Sequence, residues 1–344
     1  MNLYEKINSE QGVFIIAELS ANHNGSLEVA LQTVEAAKRA GADAIKLQTY
    51  TADSMTIDSR RTDFMIKGTI WDGQNLYELY KQAYTPWEWH KAIFEKAAKE
   101  GLVCFSSPFD KKAVDFLEEL NVPAYKIASF EITDIPLIEY TASKGKPIIL
   151  STGIAQKEDI ELALVTCRNV GNDQISLLKC TSSYPAPIEE ANMAMIPEFK
   201  SEFGIIPGLS DHTMGSTVPV VATTLGAKII EKHFILDRSI GGPDASFSMN
   251  EEEFTQMVRA VREAEKAVGR VNYTPTEKQL KGRDFSRSLY VVEDINEGEL
   301  ITEENVRSIR PGFGLHPKYL KDILGRKANS NLKKGDPFTL EMVD

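Results

Sequence analysis

Two histidines stand at the ends of apolar runs and could together bind a metal ion. His212 follows the run IIPGLS, and His233 lies in the run AKIIEKHF, 21 residues later. A lone histidine is more often a structural residue, and that interpretation stays open for each of them taken singly. If the two runs are neighbouring strands, the imidazoles meet at one end of a sheet and can share a divalent cation that keeps open coordination positions. Such a cation acts as a Lewis acid on a carbonyl group.

Lysines and hydroxyl groups form a second set with a shared chemistry. Lys46 and Lys126 lie in two other apolar runs, and further runs end in hydroxyl residues, among them Ser106, Ser107, Ser129, Ser151, Ser182 and Ser210. Lysine acts as a point charge and a hydroxyl donates a short hydrogen bond, so this set fits a small anion with phosphate and carboxylate groups. Glu18, at the end of the first run, could act as a general base.

These side chains must be positioned by the elements that carry them. Eight short apolar runs have the length and β-branched content of strands covered on both faces: 13–19, 44–50, 102–107, 124–129, 147–152, 175–181, 204–210 and 227–234. Helix-like segments separate them, and in one of these Ser26 can cap a periodic stretch that Gly41 ends. Eight strand–helix repeats predict an α/β fold, a (β/α)8 TIM barrel, whose strand ends share one mouth.

The predicted barrel domain covers residues 1–268, and the composition changes after it. Residues 269–284 have little apolar content and are typical of a linker. Residues 285–344 are too few for a large core, so we expect a small, mostly β domain there.

The composition excludes several classes of protein. A net charge of −11 argues against a nucleic-acid partner, and no apolar run approaches the roughly 18–20 residues of a membrane span. The N-terminal stretch MNLYEKINSEQG lacks the basic-then-apolar order of a signal peptide. Of the three cysteines, Cys104 and Cys180 lie in strand-like runs and are expected to be buried thiols. We therefore expect a cytoplasmic enzyme.

The motifs at these positions resemble those of the sialic acid synthase family, whose members condense phosphoenolpyruvate with an amino-sugar aldehyde. They are AELSANHNG (17–25), GADAIKLQTY (41–50), KIASFE (126–131), ILSTG (149–153), SSYPAP (182–187), GLSDHT (208–213), EKHF (231–234) and GGPD (241–244). The segment SIRPGFG (308–314) resembles the antifreeze-like (SAF) domain that ends these enzymes. Residues 77–90 and 232–249 are most similar to the branch that takes a 2,4-diacetamido-2,4,6-trideoxy-altrose rather than N-acetylmannosamine.

The resemblance implies a role for each matching residue. Phosphoenolpyruvate-binding positions match Lys46, Ser106, Lys126, Ser129, Ser151, Ser182 and Ser210, and sugar-binding positions match Gln48, Glu131, Tyr184, Asp244, Phe285 and Arg310. His212 and His233 match ligands of a divalent metal, Mn²⁺ or Mg²⁺, and Glu18 matches the catalytic carboxylate. Arg310 matches an arginine that one subunit inserts into its partner's barrel, which implies a domain-swapped homodimer. Ser182 departs from the family, which usually has asparagine there.

Other interpretations stay open at this point. The acceptor could be the precursor of N-acetylneuraminate or of legionaminate instead. A Schiff-base aldolase using Lys46 or Lys126 is a different enzyme class, but it leaves both histidines unexplained. A carbohydrate-binding protein leaves the ring of polar strand ends without a purpose. Within Trp71–Trp89, which has no assigned counterpart, the chain either shapes the sugar pocket or packs Trp87 and Trp89 into the core.

Overall fold

The computed structural model of the chain describes residues 2–9 and 12–344, and the chain divides into two compact units, Met1–Gly269 and Arg270–Asp344. Met1, where the predicted barrel domain begins, lies outside the described residues, as do Glu10 and Gln11 of the polar N-terminal stretch. The finer boundaries at residues 268 and 284 stay predictions.

The first unit is built on a barrel of parallel strands. Over the described residues, eight strands pair in chain order and the last pairs back to the first: β1 (Phe14–Glu18), β2 (Ala44–Thr49), β3 (Val103–Pro108), β4 (Tyr125–Ile127), β5 (Ile148–Ser151), β6 (Ile175–Cys180), β7 (Ile206–Asp211) and β8 (Ile229–His233). Each of the eight predicted runs overlaps one of these strands, with β3 and β7 each extending one residue past its run, and the (β/α)8 prediction is confirmed.

Helices precede the barrel and connect its strands. They are α1 (Leu3–Ser9), α2 (Leu27–Arg39), α3 (Ala52–Met55), α4 (Leu76–Ala83), α5 (Trp87–Glu100), α6 (Lys111–Glu119), α7 (Ile135–Ala142), α8 (Lys157–Asn169), α9 (Met195–Phe203), α10 (Thr217–Thr224) and α11 (Glu251–Val268). The hydroxyl of Ser26 accepts a hydrogen bond from the Val29 amide and so caps α2, as predicted. The connection between β2 and α5 is the longest of the barrel connections, because α3 and α4 are inserted in it.

Alternation along the strands divides the core into an inner and an outer layer. The side chains that point inward from the amino-terminal half of the barrel form one buried cluster, and Leu3 and Ile7 of α1 join it. Its strand residues are Phe14, Ile16, Ala44, Phe105, Ala124, Ile149, Leu178, Ile206 and Ile229. Gly208 also occupies this layer, since a Cβ there would lie 2.4 Å from Leu178 Cδ2. Because these apolar side chains fill the amino-terminal half of the barrel, the inward positions at the carboxyl ends of the strands remain for polar residues.

The second unit is small and has its own core. Its strands β9 (Ser288–Val291) and β10 (Val306–Ile309) pair antiparallel, and it contains helices α12 (Glu277–Gly282) and α13 (Leu320–Ile323). Leu289, Val306 and Phe338 are among its fully buried side chains. Helix α12 forms inside the segment that we expected to be a linker. Nowhere in residues 2–9 and 12–344 is a helix both long and apolar enough to cross a membrane.

Candidate active site

The carboxyl ends of the barrel strands surround a cavity of about 470 Å³. The barrel brings many of the predicted residues to its lining: Glu18, Lys46, Gln48, Lys126, Ser129, Glu131, Ser151, Ser182, Tyr184, Ser210, His212, His233 and Asp244. Several buried polar atoms of these side chains have no hydrogen-bond partner within the described chain, including Glu131 Oε2, Ser151 Oγ and His233 Nδ1. Buried polar groups are normally satisfied, so this arrangement indicates a site for a polar ligand.

Four buried charges lie at the floor of this cavity. Lys46 Nζ is 2.5 Å from Glu18 Oε2 and 4.0 Å from Glu231 Oε2, and Lys126 Nζ is 3.5 Å from Glu231 Oε1. The four side chains are at most 7% exposed, so each charge depends on the others for compensation. They form what we call the charge cluster.

The charge cluster shifts the ionisation of its members in opposite directions. Although burial disfavours the charged form, Lys126 and Lys46 lower the pKa of Glu231, and Glu18 and Glu231 raise the pKa of Lys46. Burial raises the pKa of Glu18, against the pull of Lys46, and burial lowers the pKa of Lys126. A carboxyl group whose pKa is raised toward neutrality suits a general base better than an ordinary glutamate does.

The serines converge beside Gly153. A Cβ on Gly153 would lie 2.1 Å from Ser182 Oγ and 2.7 Å from Ser129 Oγ, and the Gly153 amide donates to Ser129 Oγ over 3.1 Å. Only glycine leaves room for these hydroxyls to approach the same point. Ser210 also lines the cavity, and its hydroxyl donates to Glu231 Oε1 over 3.1 Å.

One predicted hydroxyl is not in the cavity. Ser106 Oγ lies 2.6 Å from Thr49 Oγ1, on the outer face of the sheet, and the next residue, Ser107, faces inward and accepts from Lys46 Nζ over 3.3 Å. The alternation of β3 explains the difference, because Phe105 and Ser107 point inward and the residue between them cannot. The Ser106 side chain is therefore turned away from a bound anion, and Ser107, although it points inward, is not part of the cavity lining either.

The two histidines meet, as the metal hypothesis requires. The centroids of the His212 and His233 rings are 5.3 Å apart. His212 Nδ1 donates to the Thr181 carbonyl oxygen over 3.0 Å in the tautomer that leaves Nε2 free. Burial lowers the pKa of His233 well below its ordinary value, so this ring is neutral, and its Nδ1 has no hydrogen-bond partner in the described part of the chain. No group of three or more His, Cys, Asp or Glu within residues 2–9 and 12–344 could hold a metal, so a cation here would take two imidazoles plus substrate or water oxygens.

The predicted sugar-binding residues of the first unit line the same cavity. Gln48 Nε2 donates to Glu18 Oε1 over 3.0 Å and to Ser20 Oγ over 2.9 Å, and Ser20 Oγ donates to Asp244 Oδ2 over 2.5 Å. The Tyr184 ring lies 4.5 Å from the His212 ring, measured between centroids. These contacts connect the sugar side of the cavity to Glu18.

Phe285 and Arg310 belong to the second unit. The Phe285 side chain is 72% exposed, and the exposed Arg310 has no side-chain hydrogen bond or ion pair among the described residues. Their roles toward the sugar stay predictions.

The strand-end pattern included three cavity residues to which we assigned no role. Glu231 links the two lysines, Ser20 links Gln48 to Asp244, and Cys180 lies 3.8 Å from His212 Nδ1. Glu231 and Ser20 could have been found from their positions at the strand ends. Cys180 was expected to be only a buried thiol; it and the other two cysteines are indeed free and buried, but Cys180 also lines the cavity.

A buried carboxyl in this cavity makes stability depend on pH. Burial raises the pKa of Glu131 to about 7, against the charge of Lys126. A raised carboxyl pKa contributes stability below the ordinary pKa and loses it as the pH rises through the folded-state value. We expect Glu131→Gln to raise the melting temperature relative to wild type more at pH 8 than at pH 5, as measured by scanning calorimetry. The exposed Glu119→Gln is the control; an equal shift at both pH values for Glu131→Gln would contradict the assignment.

Comparison with known proteins agrees with this geometry. The NeuB family matches residues 33–273, and the SAF domain matches residues 286–344. Pseudaminic acid synthase of Campylobacter jejuni is 52% identical over 96% of both chains, and that of Helicobacter pylori is 50% identical over 96% of this chain and 97% of its own. The crystal structure of N-acetylneuraminic acid synthetase from Leptospira borgpetersenii, at 32% identity, superposes with a TM-score of 0.70 over 79% of this chain and 90% of that one. The chain therefore belongs to the NeuB family and ends in a SAF domain.

Proposed function

We propose that the chain is a pseudaminic acid synthase. It condenses phosphoenolpyruvate with 2,4-diacetamido-2,4,6-trideoxy-β-L-altropyranose and water, and it releases pseudaminate and phosphate. One observation carries the reaction class: a pair of adjacent imidazoles and a pair of buried lysines face the same 470 Å³ cavity. The similarity to relatives named pseudaminic acid synthase, at 50–52% identity over nearly the whole chain, supports this acceptor over the N-acetylneuraminate and legionaminate precursors.

Anion binding falls to one side of the cavity. Lys46 and Lys126 supply charge, and the hydroxyls that converge at Gly153, together with Ser151 and Ser210, supply donors for phosphate and carboxylate oxygens. Ser151 Oγ has no hydrogen-bond partner among residues 2–9 and 12–344 and is free to donate to such an oxygen. Holding phosphoenolpyruvate on these groups places its C3 toward the histidines and supplies catalysis through positioning.

The aldehyde of the open-chain sugar lies on the other side, beside His212 and His233. These two residues would hold a divalent cation, Mn²⁺ or Mg²⁺, which supplies Lewis-acid stabilisation of the charge that develops on the carbonyl oxygen. Gln48, Tyr184 and Asp244 orient the sugar, and Glu131 Oε2 accepts from one of its N–H or O–H groups.

Bond formation then proceeds between the two sides. C3 of phosphoenolpyruvate attacks the aldehyde carbon, and C2 takes up positive charge. Glu18, whose pKa is raised by burial, accepts a proton from the water that adds to C2. The aldehyde oxygen takes up the proton that Glu18 accepted and becomes a hydroxyl group. The tetrahedral carbon then loses phosphate by cleavage of its C–O bond, and its hydroxyl proton leaves with the phosphate to give the ketone.

A Schiff-base aldolase is the rival with an observation in its favour, because burial lowers the pKa of Lys126. The amine form of Lys126 would leave Glu231, 3.5 Å away, with Lys46 as its remaining cation at 4.0 Å. A Schiff base also gives no role to the two adjacent imidazoles. We therefore favour the condensation.

The second unit completes the site in our proposal. Arg310 is exposed, and among the described residues its side chain makes no hydrogen bond or ion pair, as expected of a residue that acts on another chain. We propose a homodimer in which Arg310 of one protomer reaches the sugar in its partner's barrel and helps to exclude water. Free, buried cysteines fit a reducing compartment, so a cytoplasmic location is part of the proposal.

The acceptor is tested with a panel of sugars. Phosphoenolpyruvate is mixed with the trideoxy-altrose, with the legionaminate precursor or with N-acetylmannosamine, in ¹⁸O-labelled water. We expect phosphate release and a product of pseudaminate mass with the first sugar, and label in the sugar acid rather than in phosphate. Preference for another sugar would replace the acceptor, and label in phosphate would contradict C–O cleavage.

The metal is tested by removal and by substitution. Strong chelator should abolish turnover, and added Mn²⁺ or Mg²⁺ should restore it. His233→Asn should weaken Mn²⁺ binding measured by calorimetry, because one of two protein ligands is lost. His316→Asn, at an exposed histidine of the second unit, should leave both properties unchanged. Full turnover in chelator would end the metal role.

The arginine is tested through the two Michaelis constants. Arg310→Ala should raise the KM for the sugar by roughly 10–100-fold, the cost of one charge-assisted hydrogen bond, and change the KM for phosphoenolpyruvate far less. The control is Arg307→Ala, an exposed arginine of β10. Equal effects on both substrates, or none, would contradict the assigned role.

A further inference from the structure

One part of the cavity lining is apolar and comes from a single segment. The β2–α5 connection, residues 50–86, contributes Met55, Ile66, Trp71, Leu76 and Leu79, which we call the apolar wall. The chemistry described above uses none of these side chains. An apolar surface beside a polar floor indicates that the ligand has apolar groups at one end.

Trp71 is held in a fixed orientation within this wall. Its Nε1 donates to the Pro243 carbonyl oxygen over 3.0 Å. Its ring packs against the rings of Tyr184 and Phe247, at centroid distances of 5.7 and 6.4 Å. Because the polar end of the indole is already satisfied, the surface that Trp71 offers to the cavity is apolar.

Trp71 lies close to the two histidines, beside which the aldehyde of the sugar is proposed to bind. The Tyr184 ring lies 4.5 Å from the His212 ring, and the Phe247 ring lies 4.9 Å from the His233 ring. Trp71 is thus one aromatic ring away from both histidines. A sugar whose aldehyde lies at the histidines has phosphoenolpyruvate on the lysine side, so the rest of its carbon chain extends toward the apolar wall.

We propose that Trp71 is a specificity-determining residue that contacts the methyl groups of the acceptor. This inference rests on the proposed function and deepens it. The trideoxy acceptor carries a methyl group at C6 and one on each acetamido group, whereas N-acetylmannosamine has hydroxyls at C4 and C6. Those hydroxyls would be desolvated against indole and aliphatic carbon without a partner, which disfavours them.

The other tryptophans provide matched controls. Trp87 stacks on Phe116 at 4.7 Å between centroids, and Trp89 packs in the core with its ring edge-on to His23. Neither lines the cavity. The core-packing alternative therefore holds for these two residues, and Trp89→Phe controls for the loss of a tryptophan as such.

The test measures whether Trp71 senses individual methyl groups. In the wild-type enzyme, the acceptor is compared with an analogue that has a hydroxyl group on C6 and with one that has formyl in place of acetyl on N4. Each change should lower kcat/KM by about 10–200-fold, as expected for one methyl-sized group in an apolar pocket. Where an analogue is not turned over, its inhibition constant against the acceptor is used instead.

In Trp71→Ala, the kcat/KM for at least one analogue should come within about threefold of the kcat/KM for the acceptor. Loss of that penalty indicates coupling between the Trp71 side chain and the methyl group concerned. Trp71→Phe keeps an apolar ring and should retain most of the penalty, and Trp89→Phe should retain all of it. The KM for phosphoenolpyruvate should stay within about twofold in every variant, which also reports that the barrel is folded.

The outcomes separate this inference from the proposed function. If the wild-type enzyme does not use the trideoxy acceptor, the proposed function fails. If it does use it, but Trp71→Ala leaves both penalties unchanged or impairs all sugars and phosphoenolpyruvate alike, the role of Trp71 is refuted while the function stands. Should Trp71→Ala not fold, Trp71→Phe and Trp71→Leu carry the same comparison.

Discussion

The charge cluster at the floor of the cavity is the constraint on which the rest of the site depends. Lys46, Lys126, Glu18 and Glu231 are all buried, and a buried charge is tolerated only when an opposite charge lies beside it. Removing one partner from such a pair typically costs about 3–5 kcal/mol. The cluster therefore fixes the side-chain rotamers of its four inward-pointing residues on β1, β2, β4 and β8. The position of the lysines that an anion would meet is fixed with them.

In the proposed reaction, the anionic substrate changes this balance. Its phosphate and carboxylate compete with Glu18 and Glu231 for the two lysines, and the hydroxyls around Gly153 compensate part of the added charge. Glu18, whose pKa burial already raises, is the carboxyl group that can take a proton as its pairing with Lys46 weakens. Binding of the anion and preparation of the base are thus connected through one ion pair.

The cavity is organised as three neighbouring surfaces. The lysines and serines favour an anion, the histidines favour a metal-bound carbonyl, and the apolar wall favours methyl groups. Their order around the mouth, with Tyr184 and Phe247 between the histidines and Trp71, matches the order of groups along the two substrates in the proposed condensation. The closed barrel makes this order possible because each surface comes from different strands or loops.

The sequence by itself determined the barrel, the family and most of the polar floor. Those features depend on local patterns: apolar runs, caps such as Ser26, and polar residues that directly follow a strand. It also identified His212 and His233 as a pair, because parallel strands β7 and β8 bring their ends together.

Only the tertiary structure decided which of two neighbouring residues points into the barrel and which distant loop lines the cavity. Ser107 rather than Ser106 points inward because the pleat of β3 is registered against the whole barrel, and a strand shifted by one residue would show the same local pattern. Trp71 lines the cavity while Trp87 and Trp89 do not, because the long β2–α5 connection folds back over the mouth through non-local contacts with Pro243, Tyr184 and Phe247. No periodicity in the sequence encodes such contacts, since they join residues more than 100 positions apart.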